Sequence, residues 1–237
     1  TISGLTTTGA TILTDVEKLS KCIQFWRCFT HWIGGMGILV FILAILPMAG
    51  DYNMHIMRAE SPGPSVGKLV PKIRITAKLL YTIYFCMTIV MMILLLIGKM
   101  PLFDSICMSF GAAGTGGFAC RNSGQADYTV YQQGVITVFM LLFGVNFNVY
   151  YLMLIRKPKD AFRCEELRGY LAIVVIAILL ITINIRSLFP SLFMAFHQAA
   201  FQVSSIITTT GYSTIDYFAK KFKEYTGAAP IQYRKNH

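Results

Sequence analysis

Four long apolar stretches alternate with polar segments along this chain. They cover residues 32–49, 79–97, 134–155 and 170–185, and the second and third contain no charged residue. A helix needs about 20 apolar residues to cross the hydrocarbon core of a membrane. The stretch 79–97 lacks the polar stripe that a helix on the surface of a soluble protein carries. The pattern therefore predicts an all-α integral membrane protein.

A short Thr/Gly string occurs three times. Residues 6–11 read TTTGAT, residues 114–119 read GTGGFA, and residues 208–213 read TTTGYS. Aligning the strings places Gly9, Gly117 and Gly211 in equivalent positions, about 100 residues apart. That interval suits two membrane helices, a short helix and a loop in each repeat.

A proline precedes a short apolar segment before the second and third strings. Pro101 is predicted to open a helix over residues 102–113, and Pro190 a helix that runs to about Ile207. Both are too short to cross a membrane and are predicted to be re-entrant. The fold class is therefore a series of pseudo-repeated helix–pore-helix–filter loop–helix units, as in potassium channels.

The repeats predict boundaries along the chain. The chain opens at Thr1, without Met, inside a Thr/Gly segment, so we expect a piece of a longer protein with a fourth loop beyond His237. The predicted units are the filter loop and returning helix of a first repeat (1–50), a cytoplasmic loop (51–71), a complete second repeat (72–156), a second cytoplasmic loop (157–168), the outward helix, pore helix and filter loop of a third repeat (169–216), and an atypical polar tail (217–237).

The charge pattern predicts orientation. The formal net charge is +10, and the segment 99–133 holds only two basic residues. Basic loops mark the cytoplasmic side of a membrane protein, so 99–133 should be external. Orientation accounts for the basic excess, and no nucleic acid partner is expected. The basic residues of the cytoplasmic segments are Arg58, Lys68, Lys72, Arg74 and Lys78, and then Arg156, Lys157, Lys159, Arg163 and Arg168.

The Thr/Gly loops are the candidate chemistry. Rings of backbone carbonyls can replace the hydration shell of a potassium ion. Divalent ions prefer carboxylates, and none lies in these loops. Glycine allows the positive φ that turns successive carbonyls inward, and a threonine hydroxyl can bind an ion or hold the loop against its helix. The predicted K⁺ ligands are Thr7, Thr8, Gly9, Thr115, Gly116, Gly117, Thr209, Thr210 and Gly211; no other metal and no cofactor is expected.

Other functions are weighed against a pore. A membrane-embedded enzyme needs a nucleophile–base pair or a metal cluster, and the spans and loops carry no Asp, Glu or His at mid-depth. A sodium-coupled secondary transporter remains an alternative. Connecting turns would explain one Thr/Gly loop, but not three aligned ones. His31 and His197 are interpreted as interfacial residues, and a disulfide between Cys107 and Cys120 is a weak candidate.

Several motifs resemble a known family. Residues 3–11, 25–27 (FWR), 32–37 (WIGGMG) and 58–64 (RAESPGP) are similar to the TrkH group of bacterial potassium uptake proteins. The related KtrB group shares the filter plan, but the segment 58–64 is closer to TrkH. The resemblance covers nearly all of residues 1–216.

The resemblance implies a function and an assembly. Its members take up potassium through four repeats in one chain and form homodimers in the bacterial plasma membrane, in contact with lipid. A cytoplasmic nucleotide-binding regulatory subunit of the TrkA type is the implied partner. The family's filter glycines fall on Gly9, Gly117 and Gly211. The gating loop and the basic residue of the fourth repeat, which the family also carries, are not found in the sequence, which diverges after Asp216.

Overall fold

The computed structural model describes residues 1–11, 13, 15–37, 73–122, 124–125, 127–155 and 158–212, and within these ranges the regular elements are helices. The predicted cytoplasmic loop 51–71, its RAESPGP motif, and the tail 217–237 lie outside the described residues. The helices are α1 (Ile2–Leu5), α2 (Lys21–Gly35), α3 (Ile73–Ile97), α4 (Leu102–Ala113), α5 (Val130–Phe143), α6 (Phe147–Leu154), α7 (Pro158–Arg163), α8 (Glu165–Ile185, followed by a 3-10 turn at Arg186–Leu188) and α9 (Leu192–Ile207).

Helices α3 and α8 are long and apolar enough to cross a membrane. The qualifying segments are Ala77–Ile97 and Glu165–Leu188, each with a mean hydropathy of 2.5. Most of their side chains face outward, as lipid-facing residues would. The outward spans predicted over 79–97 and 170–185 are therefore confirmed as helices.

The start of α8 corrects one predicted boundary. We expected a loop over 157–168 and the outward helix from residue 169, but α7 occupies Pro158–Arg163 and α8 begins at Glu165. Glu165 and Glu166 lie in the first turn of α8. Negative side chains there are favoured by the positive end of the helix dipole, which explains the earlier start.

The two short helices each bury one face in the bundle. Helix α4 covers the predicted range, whereas α9 begins at Leu192, after Ser191, whose hydroxyl accepts a hydrogen bond from the Met194 N–H at 3.2 Å. This serine cap, rather than Pro190, starts the helix. Helix α4 packs against α2 and α3, and α9 packs against α5 and α8. Each short helix therefore lies between the outward helix that precedes it in the chain and the returning helix of the preceding repeat.

The returning helix predicted over 134–155 is wrong as a continuous span. Helix α5 ends at Phe143 and α6 begins at Phe147. A Cβ on Gly144 would lie 2.6 Å from Thr208 Cγ2 and 2.8 Å from Tyr170 Oη, so the chain passes very close to its neighbours here. The break therefore depends on tertiary contacts that the apolar run does not reveal.

The first returning helix ends in a similar way. Helix α2 begins at Lys21, well before the apolar stretch 32–49, and ends at Gly35, two residues before Gly37 with a φ of 78°. Residues 38–49 of the apolar stretch lie outside the described residues, so the span predicted there stays a prediction. A Cβ on Gly35 would lie 2.7 Å from the Gly114 Cα and 2.6 Å from Tyr84 Oη.

The cysteines are thiols, not disulfides. All six are free, so the weak prediction of a Cys107–Cys120 bond is not supported. The sulfur atoms of Cys28, Cys107 and Cys120 lie within 4.8 Å of one another in a buried cluster with Phe118. They fill the core between α2, α4 and the following loop as small apolar residues.

Candidate ion-binding filter

The three Thr/Gly loops share one backbone conformation. We call residues 6–10 loop 1, residues 114–118 loop 2 and residues 208–212 loop 3; they follow α1, α4 and α9. The φ angles are 69° at Gly9, 68° at Gly117 and 73° at Gly211, which confirms the positive φ expected of these glycines. Thr7, Thr115 and Thr209 are also left-handed, with φ of 54°, 54° and 56°.

The left-handed threonines were not predicted. A β-branched residue at positive φ is an outlier, and such strain costs about 1–3 kcal/mol per residue. Strained residues of this kind cluster at functional sites. The same strain at three equivalent positions indicates that the loops are built for more than connection.

Each loop is attached to the end of its own short helix. The N–H of each filter glycine donates to the carbonyl six residues earlier: Gly9 to Ser3 at 3.3 Å, Gly117 to Gly111 at 3.4 Å and Gly211 to Ser205 at 3.2 Å. These bonds satisfy carbonyls that the end of a helix leaves without partners. They also direct the N–H groups of the glycines toward the helix, and not toward a cation.

The loops lie side by side, with loop 2 in the middle. The Gly116 carbonyl lies directly against Gly9. A Cβ added to Gly9 would overlap the Gly116 carbonyl oxygen. The Thr210 carbonyl lies against Gly117 in the same way. Around Gly211, no described atom lies within 4 Å of an added Cβ. The structure therefore brings all three predicted filter segments together and points two of their carbonyls at the neighbouring loop.

Hydroxyl groups hold loops 1 and 3 in place. The Ser3 hydroxyl donates to the Ala10 carbonyl at 2.7 Å, and the Ser205 hydroxyl donates to the Tyr212 carbonyl at 2.6 Å. Two hydroxyl pairs lie behind the loops, with Oγ1–Oγ1 distances of 2.8 Å for Thr6–Thr8 and 2.7 Å for Thr208–Thr210.

These hydrogen bonds refine two predicted site residues. The side chains of Thr8 and Thr210 hold their loops, so their backbone carbonyls are the candidate ligands. Sequence reasoning did not single out Ser3 and Ser205, although each stands six residues before a filter glycine. That repeated spacing was the available signal.

The interpretation of two histidines as interfacial is wrong. His31 is fully buried, and His197 is 8% exposed with its Nε2 3.1 Å from Gln133 Oε1. The ring of His31 packs edge-on against Phe118 at a centroid distance of 4.8 Å, immediately after Gly117. His31 is therefore part of the surroundings of loop 2.

Comparison with known proteins places this arrangement in a family. The TrkH family, described as cation transport proteins, matches residues 1–221. The Trk system potassium uptake protein TrkH of Vibrio parahaemolyticus is 38% identical over 220 residues, which are 90% of this chain and 45% of the relative. The protein of the same description from Escherichia coli is 36% identical over 218 residues, again 90% of this chain and 45% of the relative.

A solved structure agrees with these relatives. The crystal structure of the potassium transporter TrkH from Vibrio parahaemolyticus matches with a TM-score of 0.73 and 32% identity, over 90% of this chain and 43% of that chain. The chain spans a little under half the length of these relatives. The family match covers most of the chain, and the fold agrees with that of the solved relative. The chain belongs to the TrkH family of cation transport proteins.

Proposed function

We propose that the chain forms part of the membrane pore through which potassium ions enter the cell, with the three Thr/Gly loops as part of its selectivity filter. The observation that carries this proposal is the shared left-handed backbone of three adjacent loops. Carbonyls arranged around a common axis replace the water of a weakly hydrated cation. The names of the relatives, which are potassium uptake proteins, support the choice of ion.

The proposed ligands are neutral backbone and hydroxyl oxygens. They come from the predicted residues 7–9, 115–117 and 209–211, and none of these is a carboxylate. The C-terminal ends of α1, α4 and α9 face the loops, and of these α4 and α9 are long enough for the partial negative charge of a helix end to favour a cation. Uptake needs no chemical transformation, so we propose a transport protein and not an enzyme.

The proposed setting follows the family. The chain is proposed to lie in the plasma membrane of a bacterium as a multi-pass protein, paired as a homodimer. A nucleotide-binding regulatory subunit of the TrkA type is the proposed cytoplasmic partner, as the word "system" in the relatives' names supports. The units 1–50, 72–156 and 169–216 are proposed as parts of successive repeats, with α8 starting earlier than the last boundary.

Rubidium and potassium uptake tests the filter. The complete protein that carries this chain is expressed in cells that lack their own potassium uptake systems. Gly117→Ser adds a Cβ that overlaps the Thr210 carbonyl at a left-handed position. Strain of this size is expected to lower the preference for K⁺ over Na⁺ by about tenfold or more.

Gly134→Ala is the matched control, because its Cβ would meet only His197 Cε1, at 3.9 Å. This variant should transport like the wild type. If Gly117→Ser and Gly211→Ser both keep the wild-type uptake and ion preference, the loops are only turns and the pore proposal fails. Uptake that requires sodium in the medium would instead identify a sodium-coupled transporter.

A further inference from the structure

Loop 2 lacks the side chains that hold loops 1 and 3. Three of its positions are glycine where the other loops have a hydroxyl. Gly111 stands in the place of Ser3 and Ser205, Gly114 in the place of Thr6 and Thr208, and Gly116 in the place of Thr8 and Thr210. Loop 2 nevertheless has the same φ angles as its neighbours, so other groups must hold it.

Tyr212 of loop 3 supplies the missing hydroxyl at Gly111. The Tyr212 Oη donates to the Phe118 carbonyl at 3.1 Å, and the ring is buried. In loops 1 and 3, the carbonyl that directly follows the filter glycine receives a hydrogen bond from the loop's own serine. A Cβ on Gly111 would overlap the Tyr212 Oη and would lie 2.6 Å from the Phe118 carbonyl oxygen. The tyrosine hydroxyl and a serine at position 111 therefore exclude each other.

His31 of α2 fills the space of the missing threonine pair. A Cβ on Gly114 would overlap His31 Cδ2 and lie 2.6 Å from the His31 carbonyl oxygen. A Cβ on Gly116 would overlap His31 Cε1 and Nε2 and the Thr7 carbonyl oxygen. The ring is fully buried, and neither ring nitrogen has a hydrogen-bond partner of normal geometry among the described residues. A buried polar ring without such partners is costly, so the packing of the ring against loop 2 must offset that cost.

The position of His31 in the repeat makes it specific to loop 2. It stands four residues before Gly35, which lies against the start of loop 2. The equivalent residue in α5 is Met140, four residues before Gly144, which lies against the start of loop 3. Loop 3 has its threonine pair and a methionine at this place, whereas loop 2 has two glycines and a histidine.

We infer that His31 and Tyr212 are positioning residues that hold loop 2 in its ion-binding conformation, in place of the serine and the threonine pair that loops 1 and 3 supply themselves. The inference rests on the proposed filter. Loop 2 is then held by a residue of the preceding repeat and a residue of the following one. The ion preference of loop 2 therefore depends on residues of both neighbouring repeats.

The tyrosine is tested in the complete protein by competition of Na⁺ with rubidium uptake. Tyr212→Phe should lower the preference for K⁺ over Na⁺ about fivefold, as expected when one ordinary hydrogen bond is lost. Gly111→Ser alone should be worse, because its Cβ overlaps the tyrosine hydroxyl. The double variant G111S/Y212F should exceed G111S in K⁺ preference, because removing the tyrosine hydroxyl relieves the closer overlap and only the Phe118 carbonyl must still shift. Tyr131→Phe is the control, since its hydroxyl bonds Leu94 away from the loops.

The histidine is tested by removing its ring. His31→Ala leaves a gap beside Gly114 and Gly116, so loop 2 should lose support and the preference for K⁺ over Na⁺ should fall by about fivefold. The threonine pair itself cannot be restored there, because the carbonyls of His31 and Thr7 would remain in the way. His197→Ala is the control and should keep the wild-type preference, because that ring bonds Gln133 and not a filter loop.

These results separate the inference from the filter itself. The inference is overturned if Tyr212→Phe keeps the wild-type preference, if G111S/Y212F is no better than G111S, or if His31→Ala lowers the preference for K⁺ over Na⁺ no more than His197→Ala does. Gly117→Ser, measured alongside, reports on the filter. Gly117→Ser can change ion preference while the tyrosine and histidine variants do not behave as expected. In that case the filter proposal stands, and only the positioning roles of Tyr212 and His31 are rejected. If Gly117→Ser has no effect either, the proposed filter falls as well. Protein amount in the membrane is measured for every variant.

Discussion

At the scale of the residue, the candidate filter combines strained backbone angles with close contacts between neighbouring loops. Thr115 holds a φ of 54° where glycine would adopt it without cost. Gly117 holds a φ of 68° where any Cβ would overlap a neighbouring carbonyl. Position 117 thus excludes a side chain, whereas position 115 keeps one in spite of the strain. We therefore expect the methyl and hydroxyl groups of the threonine to contribute to function rather than to stability.

Thr115→Gly tests this separation. Removing the side chain relieves about 1–3 kcal/mol of backbone strain, offset by about 0.5–1 kcal/mol of added chain entropy. We expect the midpoint of thermal unfolding to stay the same or rise, while the preference for K⁺ over Na⁺ falls. Thr115→Asn is the control, because asparagine tolerates the left-handed region better than threonine does. A clear loss of thermal stability in Thr115→Gly would show that the threonine is not strained.

At the scale of the element, each returning helix stops beside the loop of the next repeat. Helix α2 ends at Gly35 against Gly114, and α5 ends next to Gly144 against Thr208. A tyrosine from the next outward helix binds a carbonyl near each end. Tyr84 Oη donates to Trp32 at 2.9 Å, and Tyr170 Oη donates to Leu141 at 3.1 Å. Because a buried helix end needs partners for its last carbonyls, these tyrosines allow the helices to stop inside the bundle.

Tyr170→Phe should destabilise the protein through the α5 end. The Leu141 carbonyl would lose its side-chain donor in a part-buried position, at a cost of about 1–2 kcal/mol. We expect a lower midpoint of thermal unfolding and faster amide exchange around residues 141–146. Tyr131→Phe removes a more exposed hydroxyl and should change the midpoint less. Equal effects of the two substitutions would argue against a special role for the helix end.

The sequence predicts some of these elements and not others. Helix α4 and the filter glycines were predictable, because a proline start and a repeated Gly motif are local signals. The break at Gly144 was not, because the run 134–155 carries no charge, and one glycine followed by two asparagines does not end a helix by itself. The support of loop 2 was also hidden. Three glycines show that loop 2 lacks the serine and threonine hydroxyls of loops 1 and 3. Only the fold shows that His31 and Tyr212 lie in their place.

At the scale of the molecule, the segments that follow loops 1 and 2 are joined by one side chain. Asn122 accepts a hydrogen bond from the Val16 N–H at 2.9 Å and donates its side-chain amide to Asp15 at 2.8 Å. Its backbone N–H donates to the Glu17 carboxylate at 3.0 Å. These bonds connect residues more than 100 positions apart, on the side of the molecule predicted to be external. We expect these bonds to help hold loops 1 and 2 beside each other.

This connection should depend on pH. The hydrogen bond from Asn122, followed by that from Lys18, lowers the pKa of Asp15 below its usual value. A lowered pKa means that the folded protein favours the charged carboxylate. Its stabilisation is therefore present above the unfolded pKa, near 3.9, and lost as the pH falls through the lower folded value.

Asp15→Asn in the complete protein should therefore have a lower midpoint of thermal unfolding than the wild type at pH 6. The gap between the two midpoints should narrow as the pH falls below the unfolded pKa, near 3.9, and close only below the lower pKa of the folded protein. The effect should be small, because Asp15 lies near solvent. Lys18→Met removes only the smaller of the two causes that lower the pKa of Asp15. The midpoint of thermal unfolding of this variant should therefore keep most of its dependence on pH. If the gap between wild type and Asp15→Asn stays constant from pH 6 to pH 3, the carboxylate does not join the two segments, and the neutral bonds of Asn122 hold them alone.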